Sequence, residues 1–585
     1  MTSRLPQQAT RLARFVQDAA SHSGAIWISR VTEAQQEPAR RADVENGELE
    51  GLLVAVKDNI DVAGFPTTAA CPAFSYQPQL SAAVVTRLLD QGASVVGKTN
   101  MDQFACGLVG TRSPYGEVPN AINPDYVSGG SSSGSAVAVS LGLVDVALGT
   151  DTAGSGRIPA ALNNIVGIKP SRGLLSLRGT VSACRHLDCI SIFARTVPLA
   201  MQVLALAAGH DALDVYSRKV ELDPRYLPER PRIAIADARH LEFFGDTHSR
   251  RAFDSALELV RSRDCTLVPM DLAAVVRAGA ALYEDAWVAE RYTAIAKFFD
   301  GHEKDIDPVV RTIIESGKRF SASDVFLAME RLASYRQATQ SFWRDVDFLL
   351  VPSAPTFPTR AAVREEPLLR NHELGYYTNF VNLLDLAAIA VPATLRDDGL
   401  PFGITLIGPA GSELRLADFA NRVQQANGLA LGALSEACPR TTGEPFVRAK
   451  KSTVRVVVVG AHLSGFPLNV QLLERGARLI ATRRTAARYR LLRLPQAEPA
   501  KPGLVRVSGN QPGRAIEVEV WELPASSYGS FVAAIERPLG IAPIELDDGQ
   551  WLQGFLCDGD ALTSAEDISQ FGGWRAYQQA TARQS

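Results

Sequence analysis

Two glycine–serine clusters, Gly129-Gly-Ser-Ser-Ser-Gly-Ser135 and Gly149-Thr-Asp-Thr-Ala-Gly-Ser-Gly-Arg157, restrict this chain more than any other feature. Glycine-rich turns of this kind present backbone N–H groups and exposed hydroxyls at no steric cost. Between them lie a small-residue helix over 135–142 and a β-branched strand over Val144 to Leu148. The same unit occurs upstream, as a helix from Ala82 to Gly92 followed by the strand Ser94 to Gly97. A strand-like run, Leu52 to Val62, precedes both. Strands alternating with helices predict an α/β fold with a central sheet flanked by helices.

Later strands are expected at Arg232 to Ala236, Phe348 to Val351 and Gly403 to Ile407. Helices are expected over 248–263, 272–298, 322–344 and 413–428, and residues 8–33 predict an amphipathic helix and a short connection. With 585 residues the chain exceeds one ordinary core. The composition turns polar and proline-bearing around 436–452, and Val454 to Val459 then opens a strand-rich segment. The expected organisation is a first domain over 1–440, a linker over 441–452 and a C-terminal domain over 453–585.

A net charge of -3 supplies no basic footprint, so neither nucleic acid nor an anionic membrane is an expected partner. Seven scattered cysteines without a Cys-x-x-Cys fit free thiols and a cytoplasmic location. The N-terminus lacks the apolar core of a secretory signal, and no uninterrupted apolar run reaches membrane-spanning length. The eight histidines are dispersed without a zincin motif. Neither a metal nor a cofactor is expected.

A serine hydroxyl is a poor nucleophile until a neighbour takes its proton, and no histidine lies near either cluster before His186. Lys57, at the end of Val54-Ala-Val-Lys57, is a candidate base, because a lysine in apolar company can lose its proton. The same residue also fits a solvated strand edge. Gly130-Ser-Ser-Ser-Gly134 matches G-x-S-x-G, with Ser132 in the nucleophile position. The residues alone leave Ser131, Ser132 and Ser155 open as nucleophile, while Ser132, Ser133 and Ser135 equally suit helix capping. The N–H groups of Thr152, Ala153, Gly154 and Ser155 could converge on a developing oxyanion. A phosphate-cradling loop fits less well, since no Gly-Lys-Ser/Thr follows the glycines.

The two clusters, together with Val56-Lys-Asp-Asn59, Gly97-Lys-Thr-Asn-Met-Asp-Gln-Phe104 and Gly167-Ile-Lys-Pro-Ser171, resemble the amidase signature family over about residues 25–430. That resemblance implies an amidohydrolase with a Ser–Ser–Lys triad: Lys57 as base, Ser131 as bridging serine behind a cis Gly130–Ser131 bond, and Ser155 as the acylated nucleophile. Ala153 departs from the glycine found in many members. Asp151 and Arg157 are expected to pair as scaffold.

Further segments, Trp27-Ile-Ser-Arg30, Ala354-Pro-Thr-Phe-Pro358, Thr378 to Asp385 and Pro401-Phe-Gly-Ile-Thr405, resemble the allophanate hydrolase branch of that family. This implies allophanate (urea-1-carboxylate) as substrate, bound by Gly130, Tyr283 and Arg291, and a homodimer. Tyr283 and Arg291 lie eight apart in one expected helix, so both can share a face. The tail, opening Gly460-Ala-His-Leu-Ser-Gly465, resembles a γ-glutamylcyclotransferase-like α+β barrel. The resemblance gives it a part in decarboxylating N-carboxycarbamate, with His462 and Glu536 as its candidate residues. A purely structural tail, an amidase of other small amides and an amidotransferase component needing partner chains remain alternatives.

Overall fold

The computed structural model describes residues 5–22, 24–32, 44, 47–223, 225, 227–340, 342–439, 446, 453–494, 499–507, 511–558 and 565–582. They form two compact units, Met1–Arg448 and Ala449–Ser585. The expected linker, 441–452, lies outside the described residues except for Phe446.

The first unit is built on eleven strands. They are β1 (Trp27–Arg30), β2 (Leu53–Lys57), β3 (Ser94–Thr99), β4 (Val146–Asp151), β5 (Val166–Lys169) and β6 (Cys189–Ala194), then β7 (Arg232–Ala236), β8 (Thr266–Met270), β9 (Phe348–Pro352), β10 (Leu386–Leu395) and β11 (Pro401–Pro409). They form one sheet in the order β1-β3-β2-β4-β6-β5-β10-β11-β9-β7-β8. The sheet is mixed: β2 runs parallel to β3 and β4, whereas β4 is antiparallel to β6. This is the α/β architecture expected from the alternating pattern.

Helices cover both faces, so the central strands are buried throughout and read as apolar runs. Alternation still sorts the side chains. Val54 and Val56 of β2 enter one core with Val146, Leu148 and Ile192, while Leu53 and Ala55 enter another with Ala147 and Phe193.

Several boundaries differ from the sequence expectation. Trp27–Arg30, taken as the end of a connection, pairs antiparallel with β3 as the edge strand. The helix expected over 272–298 breaks at Asp285 into Ala273–Glu284, a 3₁₀ turn Ala286–Val288, and Ala289–Phe299. Asp285 is extended, and its carboxylate accepts the N–H of Ala286, satisfying a donor of the new turn. Strands β5, β6 and β10 were not expected; β5 is only four residues with a glycine, and β10 is alanine-rich with a proline.

In the second unit the strands are β12 (Thr453–Val458), β13 (Arg478–Arg484), β14 (Tyr489–Arg493), β15 (Pro502–Arg506), β16 (Glu517–Pro524), β17 (Leu539–Glu545), β18 (Trp551–Cys557) and β19 (Glu566–Asp567). They make a five-stranded sheet, β13-β16-β12-β18-β17, and a three-stranded sheet, β15-β14-β19. Val456, Val458, Tyr489, Leu504, Trp521 and Trp574 share its core.

Candidate active site

Strand direction decides where the chemistry lies. Because β2 and β4 are parallel, Lys57 at the end of β2 and Thr150-Asp151 at the end of β4 arrive at the same edge of the sheet. The first cluster enters the helix Ser133–Ser140, and the second leads from β4 into the short helix Ile158–Leu162. Both turns therefore meet above Lys57.

There Lys57 Nζ lies 2.7 Å from Ser131 Oγ, and Ser131 Oγ lies 3.0 Å from Ser155 Oγ. The Gly130–Ser131 peptide bond is cis. Gly130 is packed so closely on the Asp102 carboxylate and the Gly110 N–H that a Cβ would overlap both. Asp102 in turn accepts the N–H groups of Val109, Gly110 and Arg112, which holds this approach fixed.

Among the described residues of this unit three lysines are buried, Lys57, Lys98 and Lys169. Lys98 pairs with Asp58 at 3.4 Å and donates to Pro66 O and Thr67 Oγ1. Lys169 donates to Pro170 O and approaches Cys189 Sγ. Lys57 is the one that reaches the serines. Burial brings it down from the 10.5 of a free lysine to about 7, opposed by the charges of Asp102, Asp188 and Asp151. The sequence left a solvated edge lysine possible, but a β2 buried on both faces leaves no solvent for it.

The other serines of the first cluster are committed elsewhere. Ser132 Oγ donates to Thr150 O at 3.1 Å, Ser135 Oγ to Leu148 O at 3.0 Å, and Ser133 Oγ to Asn100 O at 3.4 Å. None of these bonds is a helix cap; they tie the start of the helix to β4 and to Asn100, just beyond β3.

The turn after β4 is pinned from three sides. Asp151 and Arg157 form a two-point pair, Nε–Oδ2 2.9 Å and Nη2–Oδ1 2.9 Å, fully buried. Burial alone would raise Asp151, but the Arg157 guanidinium outweighs it and holds the carboxyl below its usual range. Arg157 also donates to Thr378 O and Asn382 Oδ1. Thr378 Oγ1 donates to Ala153 O at 2.6 Å, and Asn382 Nδ2 to Asp151 O at 2.7 Å. Gly154 sits at φ +132°, a conformation only glycine adopts freely, and its N–H goes to Asp151 Oδ1 at 3.0 Å. Of the four N–H groups expected around an oxyanion, that of Gly154 thus already has a partner.

Two neighbours of Lys57, Ser131 and Ser155 were not expected from the sequence. Thr150 Oγ1 accepts from Lys57 Nζ at 2.8 Å, a contact that the β2–β4 pairing explains. Asp188 accepts from Thr152 Oγ1 at 2.5 Å and from the N–H groups of Ala183 and Cys184. Burial lifts its carboxyl to about 6 despite those bonds. Nothing in the sequence around Asp188 signals this position; the loop that carries it meets the turn after β4 only in the fold.

The charge of Asp188 is one of those that oppose the lowering of Lys57. Tyr283 and Arg291 do meet, though not as one helix face: they stand on the two helices either side of the Asp285 break. Arg291 Nη2 lies 3.4 Å from Tyr283 Oη, and the guanidinium carbon stands 5.4 Å from the ring centroid. Arg291 is 4% exposed, yet its Nε and Nη1 have no hydrogen-bond partner among the described residues. A buried guanidinium left so is costly unless an anion completes it.

In the second unit, His462 and Glu536 line one cavity of about 230 Å³ with Gln471 and Lys501. His462 Nε2 lies 3.1 Å from Gln471 Oε1, and its ring stacks on Phe555 at 4.9 Å. Burial keeps it below the usual histidine range, against the Gln471 bond and with help from Lys501. Among the described residues, no helix is long and apolar enough to cross a membrane.

Known proteins match this arrangement along nearly the whole chain. The Amidase family matches residues 10–417, and the allophanate hydrolase C-terminal domain matches residues 454–579. The urea amidolyase of Saccharomyces cerevisiae is 42% identical over 94% of this chain, which spans only 31% of that protein's length. The urea amidolyase of Lachancea kluyveri is 41% identical, again over 94% of this chain and 31% of its own. The solved allophanate hydrolase of Kluyveromyces lactis is 38% identical, with TM-score 0.74 over 99% of this chain and 97% of that one. With the family match running through both serine clusters and Lys57, the chain belongs to the Amidase family.

Proposed function

We propose that this chain hydrolyses the terminal amide of allophanate through a Ser155 acyl-enzyme. The observation that carries the choice of substrate is Arg291, a buried guanidinium beside Tyr283 with two nitrogens unpartnered among the described residues. Allophanate offers a carboxylate for that cation and an amide for the serine. The similarity to the K. lactis allophanate hydrolase over both units supports the same reading.

In this mechanism neutral Lys57 draws the Ser131 proton as Ser131 takes that of Ser155, and Ser155 Oγ attacks the amide carbon. The N–H groups of Thr152, Ala153 and Ser155 hold the oxyanion, while Gly154 keeps the turn in place through Asp151. The proton returns from Lys57 through Ser131 to the departing nitrogen, which leaves as ammonia. Water attacks the acyl-enzyme by the same relay and releases N-carboxycarbamate. Gly130 supports the bound substrate from the first cluster.

The second unit takes N-carboxycarbamate further, with His462 as proton donor for loss of carbon dioxide. Glu536 stands at the rim of the same cavity. A homodimer, carried over from the family resemblance, completes the proposal, and sedimentation of the purified chain tests it.

The deciding experiment measures ammonia released by the purified chain from allophanate, biuret and simple amides. Allophanate should be strongly preferred, Ser155→Ala should abolish release, and Arg291→Ala should raise KM with the fold intact. Normal turnover of allophanate by Arg291→Ala would refute the substrate assignment. Ser132→Ala should keep its turnover.

A further inference from the structure

The cavity of the second unit contains a cation whose present partner is poorly placed to keep it. Lys501 Nζ lies 3.3 Å from Glu536 Oε2; the lysine side chain is 20% exposed and the glutamate 81%. An ion pair with one partner in water contributes ~0–1 kcal/mol. A carboxylate brought inside, between Phe555, Leu468 and Leu539, would meet the same ammonium with less water to screen it. The neutral imidazole of His462 adds no competing charge there. Gln471 Oε1 is an acceptor only, so Nε2–H donates to it, and His462 acts as proton donor only once Nδ1 has taken up a proton.

We infer that this cavity is a binding site for a small carboxylate, with Lys501 as its cation and Glu536 as a displaceable counter-ion that yields Lys501 when the ligand enters. This rests on the second-unit role proposed above and changes the part given there to Glu536. On this inference Glu536 competes with the ligand instead of assisting the proton donor. N-carboxycarbamate has two carboxylates joined through one atom, and malonate is its stable analogue with methylene in place of NH.

Calorimetric titration with malonate tests the site on the full chain carrying Arg291→Ala, which removes the anion clasp of the first unit. One binding event is expected. Glu536→Gln should tighten it about fivefold, the factor that corresponds to ~1 kcal/mol. Lys501→Ala should weaken it at least tenfold, and Lys501→Arg, which keeps the charge, should preserve it and guard against a folding artefact. No binding in the Arg291→Ala chain, unchanged affinity in Lys501→Ala, or weaker binding in Glu536→Gln would each overturn the inference. The amidase reading is judged separately, by ammonia release from allophanate, so the two failures are distinguishable.

Discussion

Replacing Lys57 with methionine should abolish turnover and yet stabilise the protein at neutral pH. Folding brings this lysine from 10.5 to about 7, with burial as the dominant cause. A shift of that size corresponds to about 5 kcal/mol of cost for carrying the charge inside. Below pH 7 the folded and unfolded chains are both protonated, and the full cost is present. Between pH 7 and 10.5 the unfolded chain binds a proton that the folded chain does not, so stability rises with pH across that window. At pH 7.5 the remaining cost is about 4 kcal/mol.

Methionine avoids this cost but loses the bonds to Ser131 and Thr150, each worth ~1 kcal/mol. The variant should therefore be about 2 kcal/mol more stable at pH 7.5, equal to the parent at about pH 9, and less stable by about 2 kcal/mol near pH 10.5. Urea denaturation of both proteins from pH 6 to 10.5 measures the difference. A difference that stays flat across this range would refute a depressed Lys57. In the parent, ammonia release should climb with an acidic limb centred near pH 7, about tenfold lower at pH 6 than at pH 8.

Asp188→Asn keeps an oxygen for Thr152 but removes a negative charge that raises Lys57, so the acidic limb should move to lower pH; an upward move would contradict the assignment. Asp151→Asn leaves Arg157 buried without its anion and should cost about 3–5 kcal/mol in urea denaturation. Gly154→Ala drives a Cβ into Thr378 at a φ only glycine tolerates. The displaced turn should lower kcat on the order of a hundredfold, and near-normal kcat would show that its geometry is not critical.

The sequence made the serines and the lysine legible because glycine-rich turns and a lone lysine in a β-branched run are local patterns. The α/β class was equally legible, since strands and helices alternate along the chain. Strands β5 and β10 were not: Val166-Gly-Ile-Lys169 is short and holds a glycine, and Leu386–Leu395 is alanine-rich with a proline, so neither carries a strong β-branched signal. The break at Asp285 was hidden as well: the apolar spacing continues across it, and only an extended Asp285 and its cap interrupt the helix.

By itself, then, the sequence offered Lys57 as a base and left Ser131, Ser132 and Ser155 open as nucleophile; the family resemblance chose among them and brought in Tyr283 and Arg291. Tertiary structure decided which of them stand together. Parallel β2 and β4 bring Lys57 beneath both serine turns, and Ser132 is turned to Thr150 O and not to Lys57. Desolvation, which depends on everything packed around a group and not on its sequence neighbours, keeps Lys57 near neutrality and leaves Arg291 buried with nitrogens to spare.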